Sequence, residues 1–273
     1  MTDWFSGDVI ANGIRIHYYR TGGAKPPVVL SHGFSDNGLC WTRLAQVLQK
    51  DYDLVMPDAR GHGLSDAPAE GYTTDDRAAD LAGLIQALGL QKPALMGHSM
   101  GAATTAVTAV RYPHLMSRIV LEDPPWFEAD SAWLARRPAM SPEQRKAEIL
   151  ARKSQTREQV MAAGRQQSPA WDEVEFGPWA DAKLQLSPNV VPAVEEKRAH
   201  WSEIVPGLKC PTLLVIGDPQ MHAIVSLETA HRAAEMNPLI QVVQLNGAGH
   251  NIRREQFAGF VQAVTSFLSA RNP

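Results

Sequence analysis

The pentapeptide Gly97-His98-Ser99-Met100-Gly101 sets a serine between two glycines in the spacing G-x-S-x-G. A short apolar run precedes it at 93–97, and a helical stretch follows at 102–112. A sharp strand-to-helix turn strains its central residue and needs small neighbours for close packing. The Ser99 hydroxyl would then project at the strand's carboxyl end as a nucleophile for a carbonyl carbon. The Met100 amide would lie at a helix N-terminus, where free N–H groups and the helix dipole favour a developing oxyanion. A serine hydroxyl ionises far above neutrality, so it needs a base from another loop. His250, in Gly249-His250-Asn251 between the apolar run 240–245 and the last helical stretch, is the candidate, because it emerges at the same sheet edge. His17 belongs to an outer strand, His114, His200 and His231 to helical stretches, and His222 to a loop. No Cys/His/carboxylate spacing describes a metal site.

These groups need a scaffold that delivers several loops to one edge. Residues 8–20 read as two strands around Asn12-Gly13, a dipeptide suited to the positive φ angles of a hairpin turn. Strand-like runs then alternate with helical stretches, and Val28-Val29-Leu30, Leu54-Val55-Met56 and Ala94-Leu95-Met96 are apolar on both faces. That pattern predicts an α/β fold: a mostly parallel sheet of about eight strands with helices on both faces. Ligands in such sheets bind beyond the carboxyl ends of the strands.

After Ile119-Val120-Leu121 the alternation stops, and residues 124–207 are helical, polar and broken by prolines. This stretch is expected to be an inserted helical cap on a core of residues 1–123 and 208–273. It holds Trp126, Trp133, Trp171, Trp179 and Trp201, five of the chain's seven tryptophans. Large aromatics mostly bury area, so most of them should fix short helices to the body. Trp126, beside a strand end, and His98, beside the serine, are the candidates for lining a substrate pocket.

Composition narrows the partners. The 273 residues are 44% hydrophobic and 20% charged, with a formal net charge of −3 and no basic stripe for nucleic acid or anionic lipid. No run approaches the roughly 20 apolar residues of a membrane span. Two unpaired-looking cysteines, Cys40 and Cys210, and an acidic start without an apolar leader point to the cytoplasm. Gly22-Gly23 lacks the continuation of a phosphate-cradling loop, so no cofactor is expected. The expected partner is a small-molecule substrate, and monomer and homodimer stay equally open.

Taken together, Ser31-His32-Gly33-Phe34, Pro57-Asp58-Ala59-Arg60-Gly61-His62-Gly63-Leu64-Ser65, the turn at Ser99 and Gly249-His250 resemble the α/β-hydrolase fold family in its capped branch. The resemblance covers essentially the whole chain. It implies a second oxyanion donor at the backbone N–H of Phe34, and a mainly structural role for the turn that carries His62. Capped dehalogenases and epoxide hydrolases of the family use an aspartate where this chain has Ser99, so acyl transfer is favoured over their chemistry.

The acid departs from the family pattern. The usual aspartate lies three residues past the glycine that ends the penultimate strand; here that glycine is Gly217 and the position holds Gln220. Two carboxylates keep the order serine, acid, histidine. Asp123 ends the strand that runs through 119–121, a place some family members use, and Asp218 lies in a lengthened loop; Glu122 is a weaker option. Asp123 is the first choice and Asp218 the alternative for holding the histidine tautomer. The resemblance implies a hydrolase of carboxylic esters or lactones. A C–C bond hydrolase, perhydrolase or lyase on the same residues, and a low-turnover receptor, are the alternatives.

Overall fold

The computed structural model describes residues 4–128, 134, 140–192, 196 and 199–270. Its sheet has eight strands in the order β1-β2-β4-β3-β5-β6-β7-β8. They are β1 (Phe5–Ala11), β2 (Ile14–Arg20), β3 (Pro27–Ser31), β4 (Asp53–Pro57), β5 (Ala94–His98), β6 (Arg118–Glu122), β7 (Thr212–Ile216) and β8 (Ile240–Gln244). Asn12 and Gly13 turn the first hairpin at φ of 49° and 79°, the double positive φ whose twist matches the flanking strands. β2 is antiparallel to β1 and β4, and all later pairings are parallel.

Ten α-helices are described: α1 (Thr42–Leu48), α2 (Thr74–Ala87), α3 (Met100–Arg111), α4 (Pro142–Lys153), α5 (Arg157–Gln167), α6 (Glu173–Gln185), α7 (Trp201–Ile204), α8 (Leu227–Met236), α9 (Ile252–Glu255) and α10 (Phe257–Ser269). The central strands serve two cores, because side chains alternate faces with period two. Val28, Leu30, Leu54, Met56 and Met96 pack with α1 and α10. Their neighbours Val29, Val55 and Leu95 pack on the other face with α2, α3 and α8. Each fully buried Val or Leu contributes about 1.5–3 kcal/mol relative to exposure, so register is strongly fixed.

Between β6 and β7 the described residues form helices and no strand. Capping boxes at Ser141/Gln144 and Thr156/Gln159 start α4 and α5 by satisfying the first free N–H groups. Trp133 lies outside the described residues. The last helical stretch is divided at Gln256, whose φ of −125° and ψ of 55° leave the helical region. The division lets Arg253 and Arg254 turn into a buried ion cluster while Phe260, Val264 and Phe267 face the sheet. Among the described residues no helix is long and apolar enough to cross a membrane.

Candidate active site

Ser99 follows β5 directly and stands at φ 52°, ψ −116°, a conformation that costs a non-glycine residue about 1–3 kcal/mol. Its N–H donates to the Glu122 carbonyl at 3.0 Å and its carbonyl accepts from Ala103 at 3.0 Å, so β6 and the first turn of α3 hold the strain. The flanking glycines are required by close approach. A Cβ on Gly97 would lie 2.2 Å from the Gly101 carbonyl oxygen, and one on Gly101 would lie 2.1 Å from that of Ser31. Six described non-glycine residues have positive φ, and three of them, Ser35, Ser99 and Asp123, follow the carboxyl ends of β3, β5 and β6. Strained residues of this kind cluster at active sites and ligand clamps, so this sheet edge is the candidate site.

Asp123 is fully buried and His250 partly exposed, and His250 Nδ1–H donates to Asp123 Oδ2 at 2.6 Å. The same carboxylate accepts from the amides of Ile224 at 2.9 Å and Val225 at 3.0 Å. Those amides are delivered by the loop after β7, which Asp218 shapes: its Oδ1 accepts from Gln220 N–H at 2.8 Å in an Asx turn. Asp218 therefore turns the loop, while Asp123 meets the histidine. Glu122 pairs with Arg253 instead, accepting from its N–H at 2.8 Å and lying 3.2 Å from its Nη1.

After β3, Gly33 and Phe34 approach the serine; a Cβ on Gly33 would lie 3.5 Å from Ser99 Cβ. The Gly33 carbonyl accepts from His32 Nδ1–H at 2.8 Å and Asp36 N–H at 3.1 Å. The Phe34 ring packs edge-on to His62 and against the small cluster of Tyr72, Leu186 and Val190. Met100 begins α3, so its amide is one of the helix's unpaired N-terminal donors.

The family model for the alpha/beta hydrolase fold matches residues 26–253. The chain belongs to that family. N-formylmaleamate deformylase of Pseudomonas putida is 29% identical to this alpha/beta hydrolase over 96% of each chain. 2-(Acetamidomethylene)succinate hydrolase of Mesorhizobium japonicum is 27% identical over 92% of this chain and 91% of its own. The crystal structure of an N-formylmaleamic acid deformylase from Pseudomonas putida superposes with a TM-score of 0.80 at 26% identity, covering 96% of this chain and 100% of that one.

Within this alpha/beta hydrolase, the position of the usual family acid, Gln220, is exposed in the short helical turn Pro219–Met221. The two pocket candidates are placed differently. His98 is buried beside the serine, and its Nε2–H donates to the His250 carbonyl at 2.8 Å, which ties it to the histidine loop. Trp126 stacks on Trp201 with ring centroids 5.9 Å apart. The cavity of about 320 Å³ that the two indoles line, with Val107, Val110 and Glu196, includes neither Ser99 nor His250. Arg152 and Arg165 sit on solvent faces with Gln155 and Glu173, while Arg136 and Arg137 lie outside the described residues.

The ion cluster behind the site was not legible in the sequence. Asp36 lies 3.3 Å from Arg253 Nη2, 3.2 Å from Arg254 Nη2 and 3.3 Å from Lys183 Nζ. Burial pushes its carboxyl up, but Arg254, Lys183 and Arg253 outweigh burial and hold it well below the usual range. The buried histidines behave oppositely: burial lowers His32, and lowers His62 and His98 well below the ordinary value, His62 with help from His32 and His98 with help from Arg253. Below about pH 6.5 the unfolded chain takes up protons that these three refuse, at about 1.4 kcal/mol per pH unit for each group. Burial raises Asp58 and Glu122, which returns part of the loss as they protonate. Stability should therefore fall from pH 7.5 to 5.5, read as a lower urea midpoint. An equal midpoint at the two pH values would show that the histidines are not held neutral.

Proposed function

We propose that this chain is a serine hydrolase that opens carboxylic esters or lactones through an acyl-enzyme on Ser99. The observation that carries the reading is the 2.6 Å hydrogen bond from His250 Nδ1 to the buried Asp123, formed at the edge where Ser99 is held at φ 52°. Asp123 keeps the proton on Nδ1, which leaves Nε2 as the base. Ser99 Oγ attacks the carbonyl carbon as His250 takes its proton, and the amides of Phe34 and Met100 receive the oxyanion. His250 then protonates the leaving oxygen, and a water deprotonated by the same ring releases the acid. Residues 124–207 are the proposed lid, where leaving-group and acyl preferences would be set.

A second reading is hydrolysis of an activated amide on the same residues. It is favoured by the two relatives that align along nearly the whole chain and whose names specify an N-formyl and an acetamido compound. Comparing kcat/KM for p-nitrophenyl acetate, dihydrocoumarin and N-formylmaleamate separates the two. The ester or lactone reading expects its best substrate to exceed the amide by about 100-fold, worth about 2.7 kcal/mol in transition-state binding. The reverse order replaces it with the amide reading. No turnover of any of them, with no labelling by a fluorophosphonate, would leave a binding protein.

A further inference from the structure

The Phe34 amide can serve an oxyanion only if its peptide plane is held in one orientation, and that plane is fixed through its other end. A trans peptide points its C=O and N–H in opposite directions. The Gly33 carbonyl, in the same plane as the Phe34 N–H, accepts from Asp36 N–H at 3.1 Å. Asp36 N–H in turn belongs to the plane of the Ser35 carbonyl. Ser35 stands at φ 62°, a conformation that needs outside support.

That support comes from α6, almost 150 positions away. Lys183 Nζ donates to the Ser35 carbonyl at 2.8 Å and lies 2.8 Å from Ser35 Oγ. Two residues on, Gln185 Oε1 accepts from Asn37 Nδ2 at 2.9 Å. At the other end of α6, Glu175 accepts from Arg254 Nε at 3.0 Å, and Arg254, four residues past His250, also reaches Asp36. One helix therefore braces both the loop after β3 and α9, the helix that follows His250.

We propose that Lys183 is a positioning residue for the oxyanion donor. It fixes the Ser35–Asp36 peptide, whose N–H fixes the Gly33–Phe34 peptide, whose N–H faces the reacting carbonyl. The catalytic centre is then complete only when α6 is seated on the loop. The inference rests on the acyl-transfer reading above and adds to it a residue from the stretch between β6 and β7.

The test uses Lys183→Met and Lys183→Gln in the full chain. Asp36 keeps Arg253 and Arg254 in both variants, so no buried carboxylate is stranded. With an aryl ester, kcat should fall about 10- to 100-fold while KM stays within about twofold, the signature of a donor misplaced only against the transition state. Affinity for a phenylboronic acid, which becomes tetrahedral on the serine, should fall in parallel with kcat/KM. A role confined to stability would lower the melting temperature and leave both readouts at wild-type values. If either folded variant keeps wild-type kcat and boronate affinity while a fluorophosphonate still labels Ser99 in the wild type, the role of Lys183 is overturned alone. If the wild type does not label at Ser99, the acyl-transfer reading and this inference fall together.

Discussion

Ser99→Ala should lower kcat for an activated ester by about 10^5- to 10^6-fold, the loss expected when the nucleophile of an acyl-transfer centre is removed. The fold should survive. The alanine must still occupy φ 52°, and the bonds that hold the turn, from the Glu122 carbonyl to the Ser99 N–H and from Ala103 to the Ser99 carbonyl, are all main-chain. Losing one hydroxyl therefore touches chemistry far more than packing. Residual turnover should come from the two oxyanion amides and substrate binding alone. KM, where measurable, should change little. Steady-state kinetics together with a thermal melt separates the two effects, and a variant that keeps more than about 1% of wild-type kcat would remove Ser99 from the mechanism.

Asp123→Asn should cost about 10^4-fold in kcat with little change in KM. The carboxylate receives three donors, the Ile224 and Val225 amides and His250 Nδ1–H. An asparagine has one acceptor oxygen and one NH₂ group, so its NH₂ must face either a main-chain amide or the imidazole. The backbone pair cannot turn away. The ring then loses the acceptor for Nδ1–H and adopts the tautomer whose proton sits on Nε2, where the serine proton must go. Asp218→Asn is the control. Its oxygen caps the Asx turn at Gln220, which an asparagine does equally well, so activity should stay near wild type. Parallel kinetics on the two variants decide between the carboxylates, and the opposite pattern would move the acid to Asp218.

Much of the scaffold was legible because the central strands are continuous apolar runs. The runs Val28-Val29-Leu30, Leu54-Val55-Met56 and Ala94-Leu95-Met96 fall inside β3, β4 and β5, where every one of these side chains is buried on one face of the sheet or the other. Ser99 and His250 stood out because glycine-flanked turns carry strong local signatures. Asp123 and Asp218 stayed unresolved because the answer lies between partners far apart in the chain: Asp123 meets amides 101 and 102 positions away. Asp36, Glu175, Lys183, Arg253 and Arg254 carry no local motif, and only tertiary packing brings them together inside the protein. Tertiary packing also sets the surroundings of the two pocket candidates. Local sequence places His98 beside the nucleophile, but the histidine loop covers it, and Trp126 found an indole partner on α7.

Trapping the covalent intermediate tests the central claim most directly. The wild-type protein is mixed with a fluorophosphonate or quenched during turnover of a slow ester, digested, and mapped by mass spectrometry. One adduct per chain on the peptide containing Ser99, absent from Ser99→Ala, is the predicted result. Turnover with no adduct at Ser99, or an adduct on another residue, would contradict the account.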